Sequence, residues 1–123
     1  MERLKARREF LKTARGRKAA VPGLVLQARR RSEDDARIRV GFTVTKKVGK
    51  AHVRNRVKRR LRAVAGDILP VGAQPGYDYV LVGRAGSITR AYSDLKTDLA
   101  SALAKVHSAS TPSGRAAATQ KQR

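Results

Sequence analysis

The chain contains no cysteine and no tryptophan, and only two Phe and three Tyr among its 123 residues. Without thiols it can build neither a disulfide framework nor a thiolate metal site, which leaves the redox compartment open. Carboxylates are scarce too: nine Asp and Glu stand against 29 Lys and Arg, a net charge of +20. Those acids are dispersed, apart from the turn-like run Ser32-Glu33-Asp34-Asp35. A metal-dependent nuclease needs clustered carboxylates, and a metal-free one needs a paired acid and base. Neither is visible, because His52 and His107 are each lone. No apolar run approaches the roughly 20 residues that span a bilayer. The charged start Met1-Glu2-Arg3-Leu4-Lys5 lacks the apolar centre of a secretion signal. A cytoplasmic protein without a membrane partner is therefore expected.

What is abundant is positive charge. At +20, self-repulsion opposes the compact state unless a polyanion neutralises part of it. The density peaks between Lys46 and Arg62, where nine Lys and Arg occur with no acid. Basic side chains set against phosphates release condensed counterions, gaining an affinity that falls steeply with salt. A nucleic-acid partner follows. The length supports one modest core and thus a single domain, assigned to residues 1–107. From 108 to 123 the chain reduces to Ser, Thr, Ala, Gly, Pro and Gln with scattered Arg115, Lys121 and Arg123. Such a composition cannot bury enough apolar surface to fold, so a disordered tail is expected.

Periodicity orders the remainder. Leu4, Leu11 and Ala14 fall on one side of a short basic helix running from Glu2 to about Ala14. Gly16, Pro22 and Gly23 then punctuate the chain. Leu24, Leu26 and Ala28 alternate with Val25, Gln27 and Arg29 as in a strand. After the acidic turn, Ile38, Val40, Phe42 and Val44 alternate with Arg39, Gly41, Thr43 and Thr45, which predicts an antiparallel hairpin with the preceding strand. Val53, Val57, Leu61, Val64 and Ile68 lie within about a quarter-turn arc at 3.6 residues per turn. They define a helix whose opposite arc carries Arg54, Asn55, Lys58, Arg59 and Arg62, with Arg56 and Arg60 at its margin. Pro70, Gly72, Pro75 and Gly76 predict a loop, and Tyr77-Asp78-Tyr79-Val80-Leu81-Val82 a central strand. A last helix, from about Thr89 as N-cap to Val106, buries Tyr92, Leu95, Leu99, Leu103 and Val106.

The basic helix could be a solvated face, the usual fate of a charge run, but no acids interleave to form the intrahelical pairs of such a face. Asn55, a poor helix former, can both donate and accept among phosphates and riboses. His52, opening the helix, suits a capping or phosphate contact. For His107 at the end of the last helix, a cation suits the dipole. Phe10 lies off the Leu4/Leu11 line, and periodicity leaves core packing and base stacking equally open to it.

The run Val40-Gly41-Phe42-Thr43-Val44-Thr45-Lys46-Lys47-Val48-Gly49-Lys50-Ala51-His52-Val53-Arg54-Asn55-Arg56-Val57-Lys58-Arg59-Arg60-Leu61-Arg62 closely resembles the signature of the bacterial ribonuclease P protein component, with its Arg-Asn-Arg motif. The likeness extends over roughly residues 3 to 106. It implies an α/β (α+β) two-layer sandwich of α-β-β-α-β-α order, ribosomal protein S5 domain 2-like, with a small mixed sheet and a left-handed β-α-β crossover, an exception to the usual handedness. It implies a ribonucleoprotein in which an RNA subunit with Mg2+ removes the 5′ leader of precursor tRNA, the Mg2+ being held mainly by RNA and substrate. By family analogy Lys46, Lys47, Arg54, Asn55, Arg56, Lys58, Arg59 and Arg62 would meet the RNA subunit. Phe10, Val25, Gln27 and Thr43 would line a leader groove between the first helix and the polar sheet face. No catalytic or metal-binding residue and no obligate protein partner is expected of the chain itself. Where many relatives carry further aromatics, this sequence has Ala14 and Gln27, so stacking of leader bases would fall mainly to Phe10. Two rivals remain: a small basic RNA-binding or ribosomal-type protein without a role in tRNA processing, and an autonomous ribonuclease using His52 or His107.

Overall fold

Apolar on both faces, the segment Tyr77–Gly83 requires a neighbour on each side and a layer above and below. In the computed structural model, which describes residues 2–31 and 35–109, it has all of these. In chain order the elements are β1 (Glu2–Arg3), α1 (Arg7–Ala14), β2 (Arg17–Val21), β3 (Leu24–Arg30) and β4 (Arg39–Val44). A single 3-10 turn (Lys46–Val48) leads into α2 (Ala51–Gly72), β5 (Tyr77–Gly83), α3 (Gly86–Thr89) and α4 (Tyr92–Ala109). The five strands form one mixed sheet in the order β1-β4-β5-β3-β2. β5 runs parallel to β4 on one side and antiparallel to β3 on the other.

This order corrects the expected hairpin. β3 and β4 are not paired, because β5 lies between them, and the parallel β4–β5 pair is closed by α2 as a crossover. The hairpin partner of β3 is β2, with Val21 opposite Leu24 across the Pro22-Gly23 turn. β2 was not foreseen, since Ala19 and Ala20 carry little strand propensity; pairing with β3 and burial of Ala19 and Val21 impose it. The first helix likewise begins at Arg7 rather than Glu2. Glu2 and Arg3 pair in parallel with Arg39 and Val40, and Leu4 is buried before the helix starts. Leu11, counted on its apolar side, is exposed.

Two helix ends also differ from expectation. α2 continues through Pro70 to Gly72. Pro70 removes only the bond to the carbonyl of Gly66, which is exposed, and the Ala73 N–H closes the last turn on Leu69 at 2.8 Å. Thr89 is not the cap of the last helix but the end of the short α3, and α4 starts at Tyr92 and runs to Ala109, past the foreseen end. Tyr92, assigned to its buried side, is instead exposed and donates to Asp67. The expected tail, beyond this helix, lies outside the described residues, as do Ser32, Glu33 and Asp34 of the acidic turn.

One sheet face carries the core. Leu24, Leu26, Val40, Tyr79 and Leu81 pack under α2, through Val57, Leu61, Val64 and Leu69, and under α4, through Leu95, Leu99, Leu103 and Val106. Each large aliphatic side chain fully buried contributes about 1.5–3 kcal/mol against exposure, so this face supplies most of the cohesion. The opposite face, Val25, Gln27, Arg29, Arg39, Gly41, Thr43, Asp78, Val80 and Val82 by strand alternation, is covered in part by α1.

At the edge of the core Tyr79 accepts the Gln74 N–H at 2.8 Å and stands 2.7 Å from His107 Nε2. The hydroxyl and Nε2 are thus joined by a hydrogen bond at the end of α4, in which a neutral Nε2 accepts the phenolic proton and a protonated one donates. Burial pushes the Tyr79 hydroxyl up to about 12 and holds the imidazole below its ordinary value. His107 is therefore no cation for the helix dipole. Its edge meets the Tyr77 ring at a centroid distance of 4.7 Å. Because the unfolded chain takes up this proton at a higher pH than the folded one, His107 lowers stability as pH falls through about 6.5. Thermal unfolding of His107→Gln is expected to depend less on pH between about 7 and 5 than that of the wild type.

Candidate nucleic-acid interface

Two surfaces meet at the C-terminal end of β4. The first is the outer side of α2. Val57, Leu61, Val64, Ala65 and Leu69 face the core, which leaves Asn55, Arg56, Arg59 and Arg62 exposed on the solvent side. Lys46 and Lys47, on the 3-10 turn that joins β4 to the helix, are exposed beside them. Arg54 and Lys58 are half-buried flanks rather than parts of the opposite arc. Arg54 lies close to the apolar stripe and donates Nε–H to the Gly49 carbonyl at 3.2 Å. Arg56, expected at the margin, is exposed. Among the described residues no carboxylate pairs with Lys46, Lys47, Arg54, Arg56, Lys58, Arg59 or Arg62.

Arg60 behaves differently. Its guanidinium turns back along the helix and donates to the carbonyls of Ser87 and Ile88, both at 2.9 Å, and to that of Arg90. It thus ties α2 to α3 and its C-terminal end, and the same motif that supplies solvent-facing cations supplies one that belongs to the fold.

The second surface is a groove of about 390 Å3 between α1 and the open sheet face. Phe10, Leu11 and Ala14 form its helical wall, and Gln27, Thr43, Val80 and Val82 its floor. Val25 lies opposite Val82 and so belongs to the same row of the floor, although it does not line the groove directly. The structure decides the role of Phe10: a Cβ on Gly41 would meet the ring at 2.6 Å, so the ring rests on the β4 backbone while its other side borders the groove. Packing and groove wall are both served. Sequence reasoning missed Arg7, Leu11, Thr45, Val80 and Val82 as lining residues. Strand alternation was the available signal, since Val80 and Val82 share the face of Gln27 and Thr43 through the β5 pairings.

α1 is fixed over the sheet by ions. Asp78, fully buried on β5, receives Arg39 in a two-pronged pair, Nε to Oδ1 and Nη2 to Oδ2 both at 2.8 Å, and Arg31 Nη1 at 2.5 Å. Arg39 Nη1 continues to Glu9 of α1 at 2.6 Å, and this hydrogen bond holds the Glu9 carboxyl below its ordinary range. Glu9 Oε1 also accepts the Ala6 N–H at 3.4 Å, capping the helix start. The chain Asp78-Arg39-Glu9 therefore joins the middle of the sheet to the helix that walls the groove.

Acids elsewhere are occupied in the same way: Glu2 and Asp35 pair with Arg37, and Asp98 with Arg90 at 2.5 Å. The described residues contain no group of three or more His, Asp or Glu that could hold a metal ion. His52 stands in the first turn of α2, whereas His107 contacts Tyr79 beyond its far end. A helix of 22 residues is about 33 Å long, which keeps the two histidines from acting as an acid and base pair.

A family model described as Ribonuclease P matches residues 1–107, including both surfaces. The chain belongs to the ribonuclease P protein family. A curated ribonuclease P protein component from Ruegeria pomeroyi is 48% identical over 106 residues, covering 85% of each chain. The solved ribonuclease P protein of Thermotoga maritima superposes with a TM-score of 0.66 at 28% identity, covering 80% of this chain and 92% of that one. That of Staphylococcus aureus, at 23% identity, shares the fold with a TM-score of 0.69 over 86% and 97% of the two chains. Membership makes this chain a protein component of the ribonucleoprotein ribonuclease P, with tRNA processing as its role. No helix is long and apolar enough to cross a membrane among the described residues.

Proposed function

We propose that the outer side of α2, with Lys46 and Lys47, grips the catalytic RNA subunit of ribonuclease P, and that the groove under α1 holds the 5′ leader of precursor tRNA in the cytoplasm. One observation carries this reading: among the described residues, Glu2, Glu9, Asp35, Asp78 and Asp98 pair with arginines, yet no carboxylate pairs with the cations of residues 46–62. Charge that the fold does not neutralise is charge presented to phosphate.

Each group then has a task. Arg56, Arg59 and Arg62 contact RNA-subunit phosphates from a rigid helix, and Arg54, Lys58 and Asn55 add flanking contacts. In the groove, Phe10 gives one aromatic edge, Val80 and Val82 an apolar floor for base faces, and Gln27 and Thr43 hydrogen-bonding groups for base edges or 2′-hydroxyls. Together the cations offset repulsion between two polyanions, the ribozyme and its precursor. The described residues do not fit a protein metal site. This reading leaves Mg2+ with RNA and substrate, and assigns no bond-breaking step to the chain.

The test is cleavage of precursor tRNA by the cognate RNA subunit over a magnesium series, with and without the protein. The protein is expected to shift the magnesium requirement to lower concentration. An unchanged magnesium dependence rules the proposal out.

A further inference from the structure

The two ends of the leader groove have different neighbours. α1 follows β1, where the Leu4 N–H donates to the Val40 carbonyl of β4 at 2.9 Å, and it closes against β3, where a Cβ on Gly16 would collide with the Ala28 carbonyl. The helix therefore crosses the strands. The groove beside it runs from β4, where Arg7, Thr43 and Thr45 line it, to β3, where Ala14 and Gln27 do.

β3 is not the last strand on that side, because β2 lies beyond it and forms the edge of the sheet. Lys18 of β2 stands opposite Gln27, and Ala20 opposite Val25. Residues paired in this way share a sheet face, so Lys18 and Ala20 extend the two rows that floor the groove. Ala19 and Val21, which alternate with them, are buried in the core on the other face. Lys18 and Ala20 are both exposed. The floor thus continues one strand past the groove and ends in a cation at the open edge.

Two observations bear on what Lys18 meets. Among the described residues no carboxylate pairs with it or with Arg7. It is also on the side of the sheet away from the basic helix: α2 packs under β4 and β5, whereas α4 packs under β2 and β3. Lys46 and Lys47, which follow Thr45 in the chain, stand at the other end of the groove. From β4 to β2 there are three interstrand spacings, about 14 Å in all. A single strand delivered from the RNA subunit arrives at the Thr45 end and has that width of sheet to cross.

We infer that the leader enters the groove at the Thr45 end, crosses the sheet beside α1, and leaves over the free edge of β2, where Lys18 binds one of its phosphates. Lys18 then holds a nucleotide more distant from the cleavage site than those beside Arg7. The inference rests on the proposed leader groove and gives it a direction. RNA-subunit phosphates offer the same charge, and the place of Lys18, in line with the groove floor and away from α2, favours the leader.

The test uses holoenzyme reconstituted with the cognate RNA subunit and precursors whose leaders lengthen one nucleotide at a time. Lys18→Gln alters an exposed side chain with no carboxylate partner among the described residues. For leaders too short to reach the β2 edge, its affinity coincides with that of the wild type. For longer ones it is expected to fall about threefold, with the salt slope lower by about 0.7 for one lost contact to a single strand. Lys18→Arg keeps the wild-type slope. Arg7→Gln, at the entrance, weakens binding from shorter leaders onward. A loss for Lys18→Gln that sets in at the same leader length as that for Arg7→Gln or at a shorter one, or no loss at any length, overturns the assignment. Weaker binding of the RNA subunit by Lys18→Gln in the absence of precursor overturns it too, since the phosphate would then belong to the ribozyme. If wild-type affinity does not rise at all as leaders lengthen, the groove reading itself fails, and the exit over β2 with it.

Discussion

Changing Arg54, Asn55 and Arg56 together to Ala is expected to weaken binding of the RNA subunit by several kcal/mol and to lower the salt slope by about two. Arg56 is exposed and has no carboxylate partner, so its loss removes a phosphate contact directly. Arg54 is half-buried, with Nε–H on the Gly49 carbonyl, so its loss also loosens the turn that carries Lys46 and Lys47. Filter binding over a salt series separates these effects: an unchanged slope removes the motif from the interface, however large the affinity loss. Arg60→Ala is the internal contrast. Its three carbonyl acceptors lie in α3 and at its C-terminal end, and charged hydrogen bonds contribute about 1.5–3 kcal/mol each. It is expected to lower the denaturation midpoint while leaving the salt slope near the wild-type value. A slope that falls with Arg60→Ala as it does with Arg56→Ala would make the whole string one undivided RNA surface.

That division could not be read from the sequence. A period of 3.6 located the apolar stripe of α2, and through it the exposed Asn55, Arg59 and Arg62, because a single amphipathic helix on a sheet has one way to face. Arg60 and Arg54 flank that stripe at equal helical angles, and only tertiary neighbours distinguish them: the carbonyls of α3 and its C-terminal end claim the first, and the Gly49 turn the second. The same limit applies to the sheet. Alternation in β3 and β4 correctly gave which residues face the core, yet not which strands pair, since pairing is decided by the doubly apolar β5 inserting between them. β2 was hidden because two alanines and two cations carry no strand signal of their own, and the groove floor was half-seen because Val80 and Val82 read as core when both faces of β5 are apolar.

The largest effect on stability is expected at Asp78, a residue that sequence reasoning passed over as one polar position in an apolar strand. Fully buried, it balances Arg39 and Arg31 at 2.5–2.8 Å and Arg29 at 3.7 Å. Removing one partner of a buried ion pair leaves the others uncompensated, at a cost of about 3–5 kcal/mol. For Asp78→Asn, nearly the same size, the loss is electrostatic rather than a cavity, and a fall in the urea midpoint without a change in m is expected. The consequence reaches the groove. With Asp78 neutral, Arg39 retains only Glu9, and the link that fixes α1 over the sheet loses its anchor on β5. Leader affinity should then fall even at temperatures where the variant is folded, while binding of the RNA subunit through α2, on the other side of the sheet, keeps its wild-type salt slope. Equal losses on both surfaces would mean that Asp78 supports the fold as a whole and has no separate hold on the groove.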